Sequence, residues 1–240
     1  MANHLDIHVA AYQGRNPYDF DNEILLSWYP QRVVGRSPAA RSVLELGLGH
    51  GFATEIFSRH FTRQLVLEGS NAVIENFRQR FPRCSAEICE AYFEEFQTDE
   101  KFDVIVMGFI LEHVDYPQGI IRRYRDFLAP GGRMFVAVPN AEALNRRLGH
   151  LAGMLDDLEA LSDNDRLLGH KRYYTLDTLR AEIERAGLSI ASMEGIFLKP
   201  ITTGQMLALK LEDGVIRGLC EVGIAYPELC SGILAEASIR

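Results

Sequence analysis

From Ser42 onward, short apolar runs alternate with segments of helical pattern. Ser42–Leu46 reads SVLEL, Gln64–Glu68 QLVLE, Phe102–Met107 FDVIVM and Arg133–Val138 RMFVAV. Runs so short and so apolar fit strands buried on both faces, as in a parallel sheet. Between them, Phe52–His60, Asn71–Arg80 and Pro117–Leu128 have helical patterning, and Pro130-Gly131-Gly132 is a stop signal for the last of these. Ser85–Cys89 adds a short third strand. Strand and helix in alternation predict βαβ units with right-handed crossovers. The expected fold class is α/β, a Rossmann-like, doubly wound, mostly parallel sheet with helices on both faces.

The ends of the chain break this rhythm. Residues 1–40 read as an N-terminal helical cover, with a helix around Asp21–Trp28 and a turn and cap at Asn16–Asp19 (NPYD). The main domain then runs over 41–240. Within it, about 141–172 is polar and helical, an insertion or lid after strand five. Thr175–Ala186 is a helix capped by Thr175 and ended at Gly187, and Leu188–Met193 is a further strand. Residues 200–230 read as another helix and loop.

Composition excludes several classes. The chain has 240 residues, of which 47% are hydrophobic, enough for one large core. No apolar stretch approaches the ~20 residues of a membrane span. The N-terminus has no basic-then-apolar leader, so a cytoplasmic protein is expected. A net charge of -8 argues against a nucleic-acid-binding surface. Cys84, Cys89, Cys220 and Cys230 form no C-x-x-C pair, so free thiols and no metal are expected.

In an open parallel sheet, ligands sit beyond the carboxyl ends of the strands. Gly47, Gly49 and Gly51 follow the first strand at that edge, where glycine lets a ligand approach the backbone. Glu68 ends the second strand, where an acid accepts hydrogen bonds from ribose hydroxyls. A dinucleotide loop reads G-x-G-x-x-G and faces a pyrophosphate. Here the spacing is G-x-G-x-G, with Glu45 just upstream. A carboxylate there repels pyrophosphate but suits an ammonium or sulfonium. S-adenosyl-L-methionine carries both and has no phosphate.

At Val43–Gly51 (VLELGLGHG), Glu68, Phe102–Val114 (FDVIVMGFILEHV) and Leu128–Asn140 (LAPGGRMFVAVPN), the chain resembles the class I S-adenosylmethionine-dependent methyltransferases. Within that family it is similar to the small-molecule group of ubiquinone-biosynthesis O-methyltransferases. The resemblance covers about 40–140 and, more loosely, 165–195. It implies that Gly47, Gly49 and Gly51 line the methionine moiety, and that Glu68 binds the ribose with Gly69 and Ser70 beside it. It also implies that Glu90 or the Ala91-Tyr92 pair meets the adenine, and that Gly108 and Phe109 border methionine and acceptor. The family's usual D-x-G-x-G-x-G is E-L-G-L-G-H-G here.

Each of these residues also has a purely structural reading. Glu45 is either near the cofactor's amino group or a buried acid satisfied by backbone amides. Glu68 either binds ribose or ends a surface strand. His113 is either a general base or a packing residue beside the pocket. His170, Arg172 and Tyr173 either face the acceptor or pin the lid, and His150 reads as a solvated lid residue. Tyr12 and Tyr18 either close over the ligands or pack in the core. Arg146-Arg147 and Lys171-Arg172 either bind an anionic acceptor or pair with the acids of 155–165, themselves a solvated face. The reading that follows is a methyltransferase acting on a small-molecule acceptor, oxygen favoured over nitrogen or carbon, releasing S-adenosyl-L-homocysteine. Two rivals are a non-catalytic adenosyl-cofactor-binding or regulatory subunit and a nicotinamide oxidoreductase, the latter opposed by the glycine spacing.

Overall fold

The structure, a computed structural model, describes residues 19–239. In chain order the elements are α1 (Asp19–Arg36), β1 (Ser42–Leu46), α2 (Phe52–Ser58), β2 (Arg63–Glu68), α3 (Asn71–Arg80), β3 (Glu87–Glu90), β4 (Phe102–Gly108) and α4 (Pro117–Arg125). They continue as β5 (Leu128–Pro139), α5 (Leu144–Leu151), α6 (Asp163–Leu167), α7 (Leu176–Arg185), β6 (Leu188–Ile196), α8 (Thr203–Leu209), α9 (Asp213–Gly223) and β7 (Gly232–Ile239). Among the described residues, seven strands form one sheet in the order β3-β2-β1-β4-β5-β7-β6. The ladders from β3 to β5 are parallel; β7 runs antiparallel to both β5 and β6.

The alternation of side chains along each strand makes two cores. Leu44, Leu46, Ile105 and Met107 pack on one face against Ile121 and Tyr124 of α4 and Leu179 and Ile183 of α7. Val43, Val104 and Val106 pack on the other against Tyr29 and Val33 of α1 and Phe57 of α2. No helix among the described residues is long and apolar enough to cross a membrane. All four cysteines are free thiols.

The expected strands and helices are present, with several differences, and the turn and cap expected at Asn16–Asp19 lie mostly outside the described residues. The β7 strand has no counterpart in the sequence reading. It carries Glu236, an acid in an otherwise apolar run. That acid pairs with Arg36 and lies 2.8 Å from Arg133 Nη1, while Glu194 of β6 pairs with Arg32 at 2.8 Å and Arg36 at 2.9 Å. This network ties α1 to the sheet. The α4 helix stops at Arg125 rather than Leu128, because Phe102 bonds back to Phe127 and pairs with Leu128. The Pro130–Gly132 stretch, expected as a stop, is instead an irregular part of β5, with the ladder shifting between Phe102 and Val104. The α1 helix is longer than expected and continues through Pro30.

The 141–172 segment holds α5 and α6 joined by turns. Arg146 fastens it: Nη2 donates to Leu158 O at 2.7 Å and Ala160 O at 2.8 Å. A capping box at Ser162 and Asp165 opens α6. Asp156, Asp157, Glu159 and Asp163 are exposed, as expected of a solvated face.

Candidate active site

The carboxyl ends of β1, β2, β4 and β5 open into one cavity of about 750 Å³. That lies within the ~300–1,000 Å³ of small-molecule sites. Helix α1 and the 141–172 segment line its other sides.

Gly47, Gly49 and Gly51 have φ of +79°, +47° and +80°, the left-handed region that only glycine enters cheaply. Their surroundings differ. A Cβ on Gly51 would lie 2.6 Å from the Phe77 ring, and one on Gly47 would lie 2.6 Å from Ile110 Cδ1. A Cβ on Gly49 would meet nothing within 4 Å. All three line the cavity, but side chains already fill the space beside Gly51 and Gly47, while the space beside Gly49 is open.

Glu68 holds this loop. Its Oε2 accepts from Leu48 N at 3.1 Å and its Oε1 from Ser70 N at 2.9 Å. Burial pushes its carboxyl up, against those backbone donors. Each oxygen keeps lone-pair capacity for a further donor. Ser70 is buried and caps α3 by accepting from Val73 N at 3.3 Å. Ala91 N donates to Glu68 O at 3.1 Å, which brings Ala91 and Tyr92 to the cavity beside Gly69. Glu90 is exposed and does not line the cavity.

Glu45 is 2% exposed and borders the cavity. It is satisfied by side chains rather than by backbone amides: Thr54 Oγ1 donates to it at 3.0 Å and the Gln64 side-chain Nε2 at 2.9 Å. Burial raises its carboxyl to about 8, outweighing both hydrogen bonds.

Beyond β4, Gly108 admits a close approach. A Cβ there would lie 2.0 Å from Tyr29 Oη of α1. Phe109 sits at φ 58°, strained for a non-glycine residue, with its N–H bonded to Ala137 O at 2.8 Å. Its ring meets Tyr29 edge-on at 5.8 Å.

Glu112 and His113 follow on the same turn, and His170 faces them from the chain entering α7. The two imidazoles meet edge-on at 4.7 Å. Glu112 is fully buried, which pushes its carboxyl to about 7 against the pull of His170 and Arg172. His170 Nδ1 lies 3.2 Å from Asp165 Oδ1, off the line of a regular hydrogen bond. Burial pulls His170 down, and the Asp165 and Glu112 carboxylates more than reverse it. Tyr173 Oη donates to Asp165 Oδ2 at 3.0 Å, and the Arg146 guanidinium stacks 4.1 Å above the Tyr173 ring.

His113, His170 and Tyr173 thus border the cavity, but Arg172 does not. Its Nη1 donates to Leu111 O at 3.1 Å and Val114 O at 2.7 Å. With Lys171 N bonded to Glu112 O at 2.8 Å, it pins the end of the 141–172 segment to the turn after β4. The anionic-acceptor reading of the arginines has a different outcome too: Arg146 is spent on carbonyls of its own segment, Arg147 lies 3.4 Å from Glu142, and Lys171 pairs with Asp115. His150 is exposed and bonds Leu155 O. Tyr12 and Tyr18 lie outside the described residues.

Sequence reasoning missed a buried group on the opposite wall. Lys199 Nζ lies 2.6 Å from Asp21 Oδ2, and Thr203 Oγ1 donates to the same oxygen at 2.5 Å. These residues come from α1, the loop after β6 and α8, and no spacing signal joins them.

A parallel sheet with an antiparallel β7, a glycine loop after β1 and an acid ending β2 defines a class I S-adenosylmethionine-dependent methyltransferase. A family model described as a methyltransferase domain matches residues 21–193, and the chain belongs to that family. A ubiquinone biosynthesis O-methyltransferase of Aeromonas salmonicida is 25% identical over 193 residues, 75% of this chain and 76% of that protein. Two solved structures share the fold. One is the N-methyltransferase NodS of Bradyrhizobium japonicum with S-adenosyl-L-homocysteine (TM-score 0.64, 18% identity, 98% of this chain and 97% of that one). The other is a possible histamine N-methyltransferase of Thermotoga maritima (TM-score 0.64, 17% identity, 99% of both chains).

Proposed function

We propose that this methyltransferase acts on a small-molecule acceptor, with an oxygen acceptor ahead of nitrogen or carbon. The observation that carries this reading is one cavity joining the bare backbone of Gly49 and the carboxylate of Glu68 to the His113–His170 pair. The first two suit an adenosyl cofactor, and the imidazoles suit an acceptor that must lose a proton.

In this reading Glu68 accepts both ribose hydroxyls with the lone pairs its loop contacts leave unused. Gly47, Gly49 and Gly51 shape the methionine side, and Glu45 borders it, where a bound ammonium group favours the charged form of a carboxyl that burial otherwise keeps protonated up to about 8. Gly69, Ser70, Ala91 and Tyr92 border the adenine. Gly108 and Phe109 divide cofactor from acceptor. Bound there, S-adenosyl-L-methionine supplies an electrophilic methyl carbon on its sulfonium. The chain's part is to align the acceptor, exclude water and take up its proton. Helix α1 and the 141–172 segment cover the acceptor end. His113 and His170 receive the hydroxyl, and Tyr173 holds Asp165 behind His170. The oxygen preference is supported by the O-methyltransferase relatives and by these two imidazoles.

The test is transfer of a labelled methyl group from the cofactor to matched panels of phenols and amines. Incorporation into phenols is expected. Incorporation into amines alone contradicts the oxygen reading.

A further inference from the structure

One wall of the cavity is built by α1, the loop after β6 and the residue before β7, and it holds two unpartnered polar atoms. Asp21 Oδ1 and Ser231 Oγ are shielded from solvent and have no hydrogen-bond partner among the described residues, and both residues border the cavity. Buried polar groups in folded proteins are almost always paired, because one left alone costs its full desolvation.

Lys199 stands between α1 and α8 on the same wall. Its Nζ donates to Asp21 Oδ2 and to Thr203 Oγ1, each at 2.6 Å. An ammonium has three donors, so one remains for a ligand. The Asp21 and Lys199 side chains keep 12% and 9% of their surface exposed and border the cavity. Ser231 is tied to this loop, since its N–H donates to Phe197 O at 2.9 Å, two residues before Lys199. Its carbonyl accepts from Asn140 N at 3.0 Å, at the end of β5. A Cβ on the next residue, Gly232, would lie 3.2 Å from the Phe109 ring. The wall therefore reaches Phe109, which divides cofactor from acceptor in the proposed function.

The chemistry of the open atoms selects a ligand group. The charges of Asp21 and Lys199 offset each other, so an entering carboxylate meets Asp21 and an entering ammonium meets Lys199. One open acceptor, Asp21 Oδ1, and two open donors, Lys199 Nζ and Ser231 Oγ, match the one proton and two lone pairs of a hydroxyl.

We propose that Asp21, Lys199 and Ser231 form a polar subsite for a second hydroxyl of the acceptor, one that is held and not methylated. The acceptor is then a molecule with at least two hydroxyls rather than a simple phenol. Assigning this hydroxyl to the acceptor rests on the proposed function; the subsite itself does not.

The test titrates the full chain, saturated with S-adenosyl-L-homocysteine, with matched probes. These are para-hydroxyphenyl alkanols with one to three side-chain carbons, each against the alkylphenol that lacks the terminal hydroxyl. In at least one pair the terminal hydroxyl should tighten binding at least tenfold by calorimetry. The double variant Asp21→Asn with Lys199→Met, which leaves no charge in this wall, should abolish that gain. Ser231→Ala removes a hydroxyl with no partner in the structure, so thermal stability should hold while the gain falls at least threefold. Should the double variant unfold by circular dichroism, Ser231→Ala gives the reading. A gain below tenfold in every pair, a gain that persists in either variant, or failure of every probe to bind overturns the subsite. Transfer of a labelled methyl group to the plain alkylphenols reports on the proposed function alone. If it proceeds while the terminal hydroxyl adds nothing, the subsite fails and the oxygen-acceptor reading stands. If the hydroxyl tightens binding while no phenol is methylated, the subsite stands and that reading falls.

Discussion

The Glu68 carboxylate accepts the backbone N–H of Leu48 at 3.1 Å, so the end of β2 holds the glycine loop that follows β1. One side chain therefore shapes the loop and keeps lone-pair capacity at the cavity that it borders.

Glu68→Ala should lose both functions. Two charge-assisted hydrogen bonds to a ribose contribute about 1.5–3 kcal/mol each. Affinity for S-adenosyl-L-homocysteine should fall at least tenfold by calorimetry, with the secondary structure intact by circular dichroism. Thermal stability should also drop, because Leu48 and Ser70 lose their acceptor. Unchanged affinity removes the ribose assignment.

The glycines should separate packing from binding. Gly51→Ala puts a methyl group 2.6 Å from the Phe77 ring at a φ of +80°, and its stability should fall by about 2 kcal/mol or more. Gly49→Ala meets no atom within 4 Å. Its backbone cost is about 1–2 kcal/mol, while the added methyl group enters the ligand's space. Gly49→Ala should therefore weaken cofactor binding more than it weakens the fold. Denaturant titration and calorimetry on both variants read the contrast, which the reverse ordering would contradict.

Glu45 predicts a pH dependence of stability. Burial lifts its carboxyl from 4.5 to about 8 in the folded chain, over the hydrogen bonds from Thr54 and Gln64. The folded state binds this proton more tightly than the unfolded state. Its stabilising contribution is fully present below about 4.5 and is lost as pH rises to about 8, with a slope approaching 1.4 kcal/mol per pH unit. Glu45→Gln should flatten that slope. Gln64 Oε1, which has no partner in the structure, can turn to accept from the new amide. Equal slopes in wild type and variant would show that Glu45 is not the group responsible.

Arg172→Ala should loosen the chain between α6 and α7 without touching the cofactor. It removes the donor to Leu111 O and Val114 O, a loss of about 1.5–3 kcal/mol. Amide exchange should quicken over 111–114 and 168–173. Cofactor affinity should stay within about threefold, or ~0.7 kcal/mol. Exchange rates matching the wild type would mean that Arg172 does not pin this segment.

The parts of the site that are local in sequence were legible there. The loop from Glu45 to Gly51 and the acid ending β2 sit next to apolar strands whose period fixes where they emerge. What escaped is non-local. The β7 strand was hidden because Glu236 interrupts its apolar pattern, and the arginines that satisfy it come from α1 and β5. Glu112 stood next to a recognised histidine, but its isolation and burial are properties of packing. Arg172 had two readings of equal weight in the sequence, and only the direction of its guanidinium, toward two carbonyls, separates them. Lys199 and Asp21 illustrate the same limit, since their pairing requires α1 to lie against the loop after β6.

The assignment of the glycine loop and Glu68 to an adenosyl cofactor without phosphate is tested most directly by a paired calorimetric titration. The chain is titrated with S-adenosyl-L-homocysteine and, separately, with NAD. Saturable one-to-one binding of S-adenosyl-L-homocysteine, weakened at least tenfold by Glu68→Ala, is predicted, with no saturation by NAD at the same concentrations. Saturable binding of NAD, with none of S-adenosyl-L-homocysteine, would contradict it.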